Sequence, residues 1–319
     1  LFSVAVFSNM VGLNISSAFD SVVTIYILIP LLLIPQILLC GVIVKFDDLQ
    51  DKMADKDAVP FVGELMVSRW AFEALAVGQF SSNGYMADFF EQEKQMARAR
   101  YYSDLLVSEL TGRIDHIAGL IKLQKPDEEI APKLNLVRNE IIRLNQAGVW
   151  PPFSAAGNLS LPGFTPSMAD SAKQYLKKLK DYYNQVYDRT KKEKDRKIRA
   201  VKQSEGSGFL FSQKMKYHNK SLEDLMMNAG SKEYYRETRN GIMQKVAPVY
   251  KKPDFKNGRA HFLSSEKIIG DLVTGTFAFN LIVIWAMNII LYIALYDDWI
   301  RRILSGKIPY IRVSFWPKR

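Results

Sequence analysis

The run from Val22 to Val44, VVTIYILIPLLLIPQILLCGVIV, carries no charge and only Thr24, Tyr26 and Gln36 as polar interruptions. At 1.5 Å per residue a helix of that length reaches about 34 Å, enough to cross the hydrocarbon core of a bilayer. Pro30 and Pro35 would break a soluble helix, but inside a bundle neighbouring helices meet the freed carbonyls, so they predict a kink in a continuing span. A second uncharged run, Thr274 to Tyr296, has the same length, with Tyr292, Tyr296 and Trp299 placed as an interfacial aromatic belt. Within it Asn280 and Asn288 are polar groups set to bond across to other helices or to line a pathway, the former being the more usual role.

Composition hides this pattern. Over 319 residues the mean hydropathy is −0.08 and 24% of residues are charged, values of a soluble protein, because apolar residues gather at the two ends while the middle is rich in Lys, Glu, Asp and Tyr. The expected fold class is therefore an all-α membrane protein: transmembrane helices with a large, mainly helical extracytoplasmic insert. A third apolar piece, Leu1 to Leu13, is too short to cross alone and lacks both the basic start and the cleavage site of a signal peptide. It reads as the cut end of a preceding transmembrane helix, and the chain as a fragment.

The tail RRILSGKIPYIRVSFWPKR is basic with no acid, as a short cytoplasmic flank should be. Two crossings then place residues 46–269 outside. Residues 1–45 are expected to hold the end of one transmembrane helix and a complete proline-bearing one. An external loop and a helix follow over 46–80, a helical extracytoplasmic domain over 81–269, the last span over 270–299 and a cytoplasmic tail over 300–319. The net charge of +10 is divided between that tail and an acid-interleaved helical domain, which argues against a nucleic-acid partner. Cys40 is the single cysteine and sits in a span, so the outer domain must hold together by packing without a disulfide.

In the insert, Met86, Phe89, Phe90, Met96, Leu106, Leu110, Ile114, Ile117 and Leu120 recur mainly at steps of three and four, predicting a long amphipathic helix interrupted at Gly112. A second helix is predicted from Ile130 to Gln146 and ended by Gly148. A third, capped by Ser167, carries an apolar seam at Ala172, Tyr175, Leu179, Tyr182 and Val186 that dissolves beyond Arg189 into charged sequence. Shorter helices are expected at Ser221–Asn228 and Lys232–Val246, and no strand-like alternation persists.

No G-x-x-x-x-G-K-[ST] loop or G-x-S-x-G motif occurs, and His116, His218 and His261 stand far apart outside any metal-binding pattern. No catalytic motif and no metal or cofactor site is read from this chain.

The stretch PFVGELMVSRWAFEALAVGQF, soon after the first long run, sets Arg69 and Glu73 four apart, so that on a helix they can neutralise each other. Physics leaves two placements open: a re-entrant helix dipping back into the membrane, or an amphipathic helix lying on its outer surface. With the preceding IPLLLIPQILLCGVIVKFDDL, this stretch resembles the end of the membrane domain of ATP-binding-cassette exporters of the white or G subfamily, the ABC-2 type of permease. Their pattern is roughly Ser-Pro-x-Arg-Tyr-x-x-Glu-Ala-Leu-x-x-Asn-Glu-Phe. Arg69, Trp70 in place of Tyr, Glu73, Ala74, Leu75 and Phe80 match; Met66 and Val67 replace Ser-Pro, and Gly78 and Gln79 replace Asn-Glu. The resemblance covers Leu1 to about Phe80 and, more loosely, the last span; the large insert points to a bacterial variant.

The resemblance implies an ATP-driven exporter in a bacterial inner membrane that works as a homodimer in contact with lipid. A nucleotide-binding domain outside this chain would carry ATP and Mg. Arg69, Trp70, Glu73 and Phe80 would brace a re-entrant helix at the outer gate. The competing layout is a two-span sensor or tether with an extracytoplasmic ligand-binding domain; a scaffold that recruits partners through the Tyr-rich hairpin is compatible with either.

Overall fold

The structure, a computed structural model, describes residues 1–44, 46, 57–238 and 240–306. In chain order its principal helices are α1 (Phe2–Ala18), α2 (Val22–Leu38), α3 (Val67–Ser81), α4 (Phe90–Arg100) and α5 (Val107–Lys122). They continue as α6 (Asp127–Gln146), α7 (Pro166–Glu205), α8 (Phe209–Tyr217), α9 (Lys220–Met227) and α10 (Thr276–Tyr296). Two short hairpins, β1 (Tyr235–Glu237) with β2 (Ile242–Gln244) and β3 (Glu266–Ile269) with β4 (Leu272–Gly275), are both antiparallel. Helix dominates, and the chain divides into two units.

The first unit holds the described residues up to Phe46, those from Ala58 to Gly78 and those from Phe255 onward. Helix α10, at 21 residues, rises about 31 Å and is the one helix among the described residues long and apolar enough to cross a membrane. Helix α1 lies along it. Asn288 Nδ2 donates to the Ser3 carbonyl at 3.1 Å, Asn14 Nδ2 donates to the Leu291 carbonyl at 3.0 Å, and the rings of Phe2 and Trp285 stand 6.5 Å apart. The two helices therefore run in the same direction.

The expected continuous span from Val22 to Val44 is shorter than the sequence implied. Helix α2 has 17 residues, about 25 Å of rise, and ends at Leu38. Pro30 and Pro35 sit inside the helix without ending it. The stop is at Gly41, whose φ of +90° is open to glycine but strained for other residues and whose missing side chain leaves room for the rings of Phe262 and Phe46.

The second unit holds Asp57 and residues Gln79 to Asp254. Helix α4 passes through a π-helical turn, Tyr101–Leu106, into α5, and α7 packs along this continuous run. Leu110, Ile114, Ile117, Leu134, Val137, Ile141, Leu176 and Leu179 form the core between α5, α6 and α7, following the three-and-four spacing of their sequence. A cavity of about 320 Å³ opens beside the π-helical turn.

Three expectations for the insert are corrected. The helix runs through Gly112, and its irregularity lies earlier, at Tyr101–Leu106. Helix α7 is capped by Thr165, whose Oγ1 accepts from the Met168 amide at 3.2 Å, because Pro166 takes the first helical position, where its missing N–H costs nothing. The charged sequence beyond Arg189, where the apolar seam dissolves as expected, prolongs this helix to Glu205, and it stops at Gly206 with φ +92°. Where a helix was expected over Lys232–Val246, strands β1 and β2 pair. Strands of three or four residues are too short for a period of two to register.

Candidate functional site: a buried charge cluster at the start of the last apolar helix

Helix α3 presents Arg69 and Glu73 on one face, as the four-residue spacing predicts, and both side chains are wholly buried. The guanidinium Nη1 stands 3.5 Å from Glu73 Oε2, while Nη2 stands 3.3 Å from Glu64 Oε2. None of the guanidinium nitrogens donates a hydrogen bond, so Arg69 is held by charge and by the face of the Trp70 ring, 3.8 Å from the guanidinium carbon. Trp70 is fixed in turn, its Nε1 donating to the Glu64 carbonyl at 2.8 Å.

Glu73 is the centre of the cluster. Its Oε1 accepts from Lys267 Nζ at 2.9 Å and from the Leu263 amide at 3.1 Å; its Oε2 accepts from Asn280 Nδ2 at 2.8 Å. Asn280 also donates to the Trp70 carbonyl at 3.0 Å. Four hydrogen-bonding or ionic partners on one buried carboxylate offset a desolvation cost of several kcal/mol, which a single pair seldom does. Burial pushes the Glu64 carboxyl up from its ordinary value, and the opposing pull of Arg69, Lys267 and Arg259 does not reverse the direction. Glu73 stands within ionic reach of both Arg69 and Lys267.

Each partner arrives from a different element. Arg69 and Glu73 come from α3, Lys267 from β3, Leu263 from the segment before it, and Asn280 from the first turns of α10. The carboxylate thereby ties α3 to the β3–β4 hairpin and to the only described helix both long and apolar enough to span a membrane. A hydrogen-bonded pair, Ser68 and Gln36, fastens α3 to α2 as well.

The residues singled out from the sequence divide. Arg69, Trp70, Glu73 and Asn280 converge. Asn288 lies on the same helix but bonds to α1, so both asparagines join helices. Phe80 falls in the second unit, where its ring packs 6.3 Å from Phe90 and 6.2 Å from Tyr250, and it takes no part in the cluster. Phe61, Leu65 and Leu75 are exposed, while Phe72 stacks on Phe262 at 6.2 Å.

Sequence reasoning missed Lys267 and Glu64. Lys267 stands 194 residues from Glu73, beyond the reach of any spacing argument. Its one signal is a lysine in the approach to the last span, EKIIGDLVTG. Comparison with family models, curated proteins and solved structures returns no match for this chain.

Proposed function

We propose that the chain is the closing part of the membrane domain of an ATP-driven exporter, with α3 as a re-entrant helix at the outer gate. The observation that carries this reading is the Glu73 carboxylate, wholly buried and shared between Arg69, Lys267 and Asn280. A helix bearing two charges is tolerated beside lipid when its charges are paired within protein, and here they also anchor it to the apolar helix α10. The common direction of α1 and α10 fits this reading, which needs the apolar stretch around α2 to return the chain between them.

In this reading a nucleotide-binding domain outside the chain holds ATP and Mg, and two copies assemble around the pathway in a bacterial inner membrane. Residues 46–269 lie on the extracytoplasmic side. The chain's own residues do no bond-breaking: the cluster holds α3 in place, and closure of the cytoplasmic domains moves the spans against it. The experiment is ATP hydrolysis by the full-length protein in lipid, with its co-purifying partners. Hydrolysis is expected, and its absence removes the exporter reading.

A second reading, a two-span sensor or tether, draws on the cavity in the second unit, since a ligand site is what a sensor needs there. It predicts ligand binding without ATP hydrolysis.

A further inference from the structure

The cavity in the second unit is walled by aromatic rings with hydroxyls to spare. Tyr102 and Tyr183 stack with centroids 4.6 Å apart and planes 10° from parallel, and Tyr101 meets Tyr102 edge-on at 5.4 Å. Among the described residues, none of these hydroxyls forms a hydrogen bond. Burial pushes all three phenols up from their ordinary value, so they remain O–H donors.

The backbone that delivers two of these rings is unusual. The π-helical turn YYSDLL contains neither Pro nor Gly, and it adds a residue to the helix, rotating what precedes it by about 100° relative to the core positions that follow. Tyr101 and Tyr102 owe their place in the wall to that extra residue. Such turns recur at functional sites.

The charged lining favours a single negative charge. Arg98, Arg143, Lys251 and Lys252 face two carboxylates, Glu140 and Asp254. Lys251 is occupied, its Nζ 3.3 Å from both Asp57 and Asp254. Glu140 is occupied too, accepting from the Ile242 amide at 2.6 Å and from Arg143 Nη1 at 3.1 Å. Arg143 keeps half its side chain exposed, although its Nη2 also stands 3.9 Å from Asp254, and Lys252 is exposed with no ion pair among the described residues. The two carboxylates close by repel a dianion twice as strongly as a monoanion.

We propose that this cavity binds a small aromatic monocarboxylate, its ring against the Tyr101–Tyr102–Tyr183 wall and its carboxylate between Arg143 and Lys252. A volume of about 320 Å³ is at the lower end of small-molecule sites. Arginine's planar fork suits a carboxylate, and free phenol hydroxyls serve either a carboxylate oxygen or a polar ring substituent. The inference uses the second unit alone and stands whether or not the exporter reading does.

The test is saturation-transfer NMR on the full-length protein, with phenylacetate as probe and phenylacetamide as its uncharged counterpart. Phenylacetate is expected to bind on the order of tenfold more tightly than the amide, the difference a charge-assisted pair makes. Lys252→Gln and Tyr183→Phe, which leave the Glu140 network intact, are each expected to weaken phenylacetate several-fold without lowering the melting temperature. Arg143→Gln should weaken it further. Equal binding of the two probes, a phenylacetate signal indifferent to all three variants, or no phenylacetate signal would each overturn the proposal.

Discussion

The two units are built to opposite plans. In the first, the charges Arg69, Glu73 and Lys267 are wholly buried while Val22, Ile27, Leu31, Leu33, Ile282 and Ile290 are exposed. In the second, Leu110, Ile114, Ile117, Val137 and Ile141 are fully buried and the long helix α7 turns a lysine- and arginine-rich face outward. The hydrophobic effect explains the second plan in water. The first fits apolar surroundings, and in the proposed membrane reading the two units stand in two solvents.

The sharpest way to break that contrast is to remove the charge at the centre of the first unit. Glu73→Ala leaves Arg69 and Lys267 buried with their shared anion gone, and is expected to cost about 3–5 kcal/mol, read as a drop in the melting temperature of the purified full-length protein. Replacing both partners of the pair, Glu73→Leu with Lys267→Met, should return part of the loss, because Lys267 no longer stands as an unpaired charge while Arg69 keeps Glu64 alone. The simple exchange Arg69→Glu with Glu73→Arg should not recover, since it brings a guanidinium up to Lys267, now 2.9 Å from the carboxylate. Unchanged melting in Glu73→Ala would show that the cluster holds nothing together.

Next in size is a lysine placed on the outward face of α10. Ile282 is 68% exposed, and Ile282→Lys should cost up to about 3 kcal/mol of membrane insertion if that face meets lipid. A glycosylation-based insertion assay reads this directly. Insertion equal to that of the parent helix would mean that the exposed apolar face does not face hydrocarbon.

In the second unit the comparable buried charge is Glu140, and its behaviour should differ. Burial pushes this carboxyl up, with Arg143 and the Ile242 amide opposing. A folded value above the unfolded one means that the folded state holds the extra proton between the two. Stability from this group is therefore present below the ordinary carboxylate value and lost as pH rises through the raised one. Glu140→Gln should flatten that dependence in pH-dependent urea unfolding. Glu140→Ala should cost about 1–3 kcal/mol at every pH by orphaning the Ile242 amide.

These sites show where sequence reading succeeds and where it stops. Arg69 with Glu73, and the core spacing of α5 to α7, were legible because both are local: helical geometry places residues three and four apart on one face. Asn280 was legible as a polar group in an apolar run, though not its partner. Lys267, Glu64 and the Tyr102–Tyr183 stack were not, because each depends on contacts made only once distant segments fold together. The premature end of α2 escaped for a different reason, since hydropathy records the apolar run through Val44 and is blind to the backbone angle at Gly41. The π-helical turn escaped because the sequence YYSDLL contains nothing that distinguishes it from ordinary helix.

The smallest effect expected is also the control for the contrast. Leu123, at the end of α5, is 71% exposed, slightly more than Ile282, and belongs to the second unit. If water surrounds that unit, Leu123→Lys exchanges an exposed apolar side chain for a solvated charge. It should then shift unfolding by no more than about 0.5 kcal/mol. Two exposed aliphatic residues of nearly equal accessibility would then respond to the same replacement by amounts several-fold apart. Accessibility alone cannot produce such a difference; only the medium outside the surface can. A loss at Leu123 as large as that at Ile282 would mean that this face is covered by an apolar partner, and the two-solvent account would have to be redrawn around it.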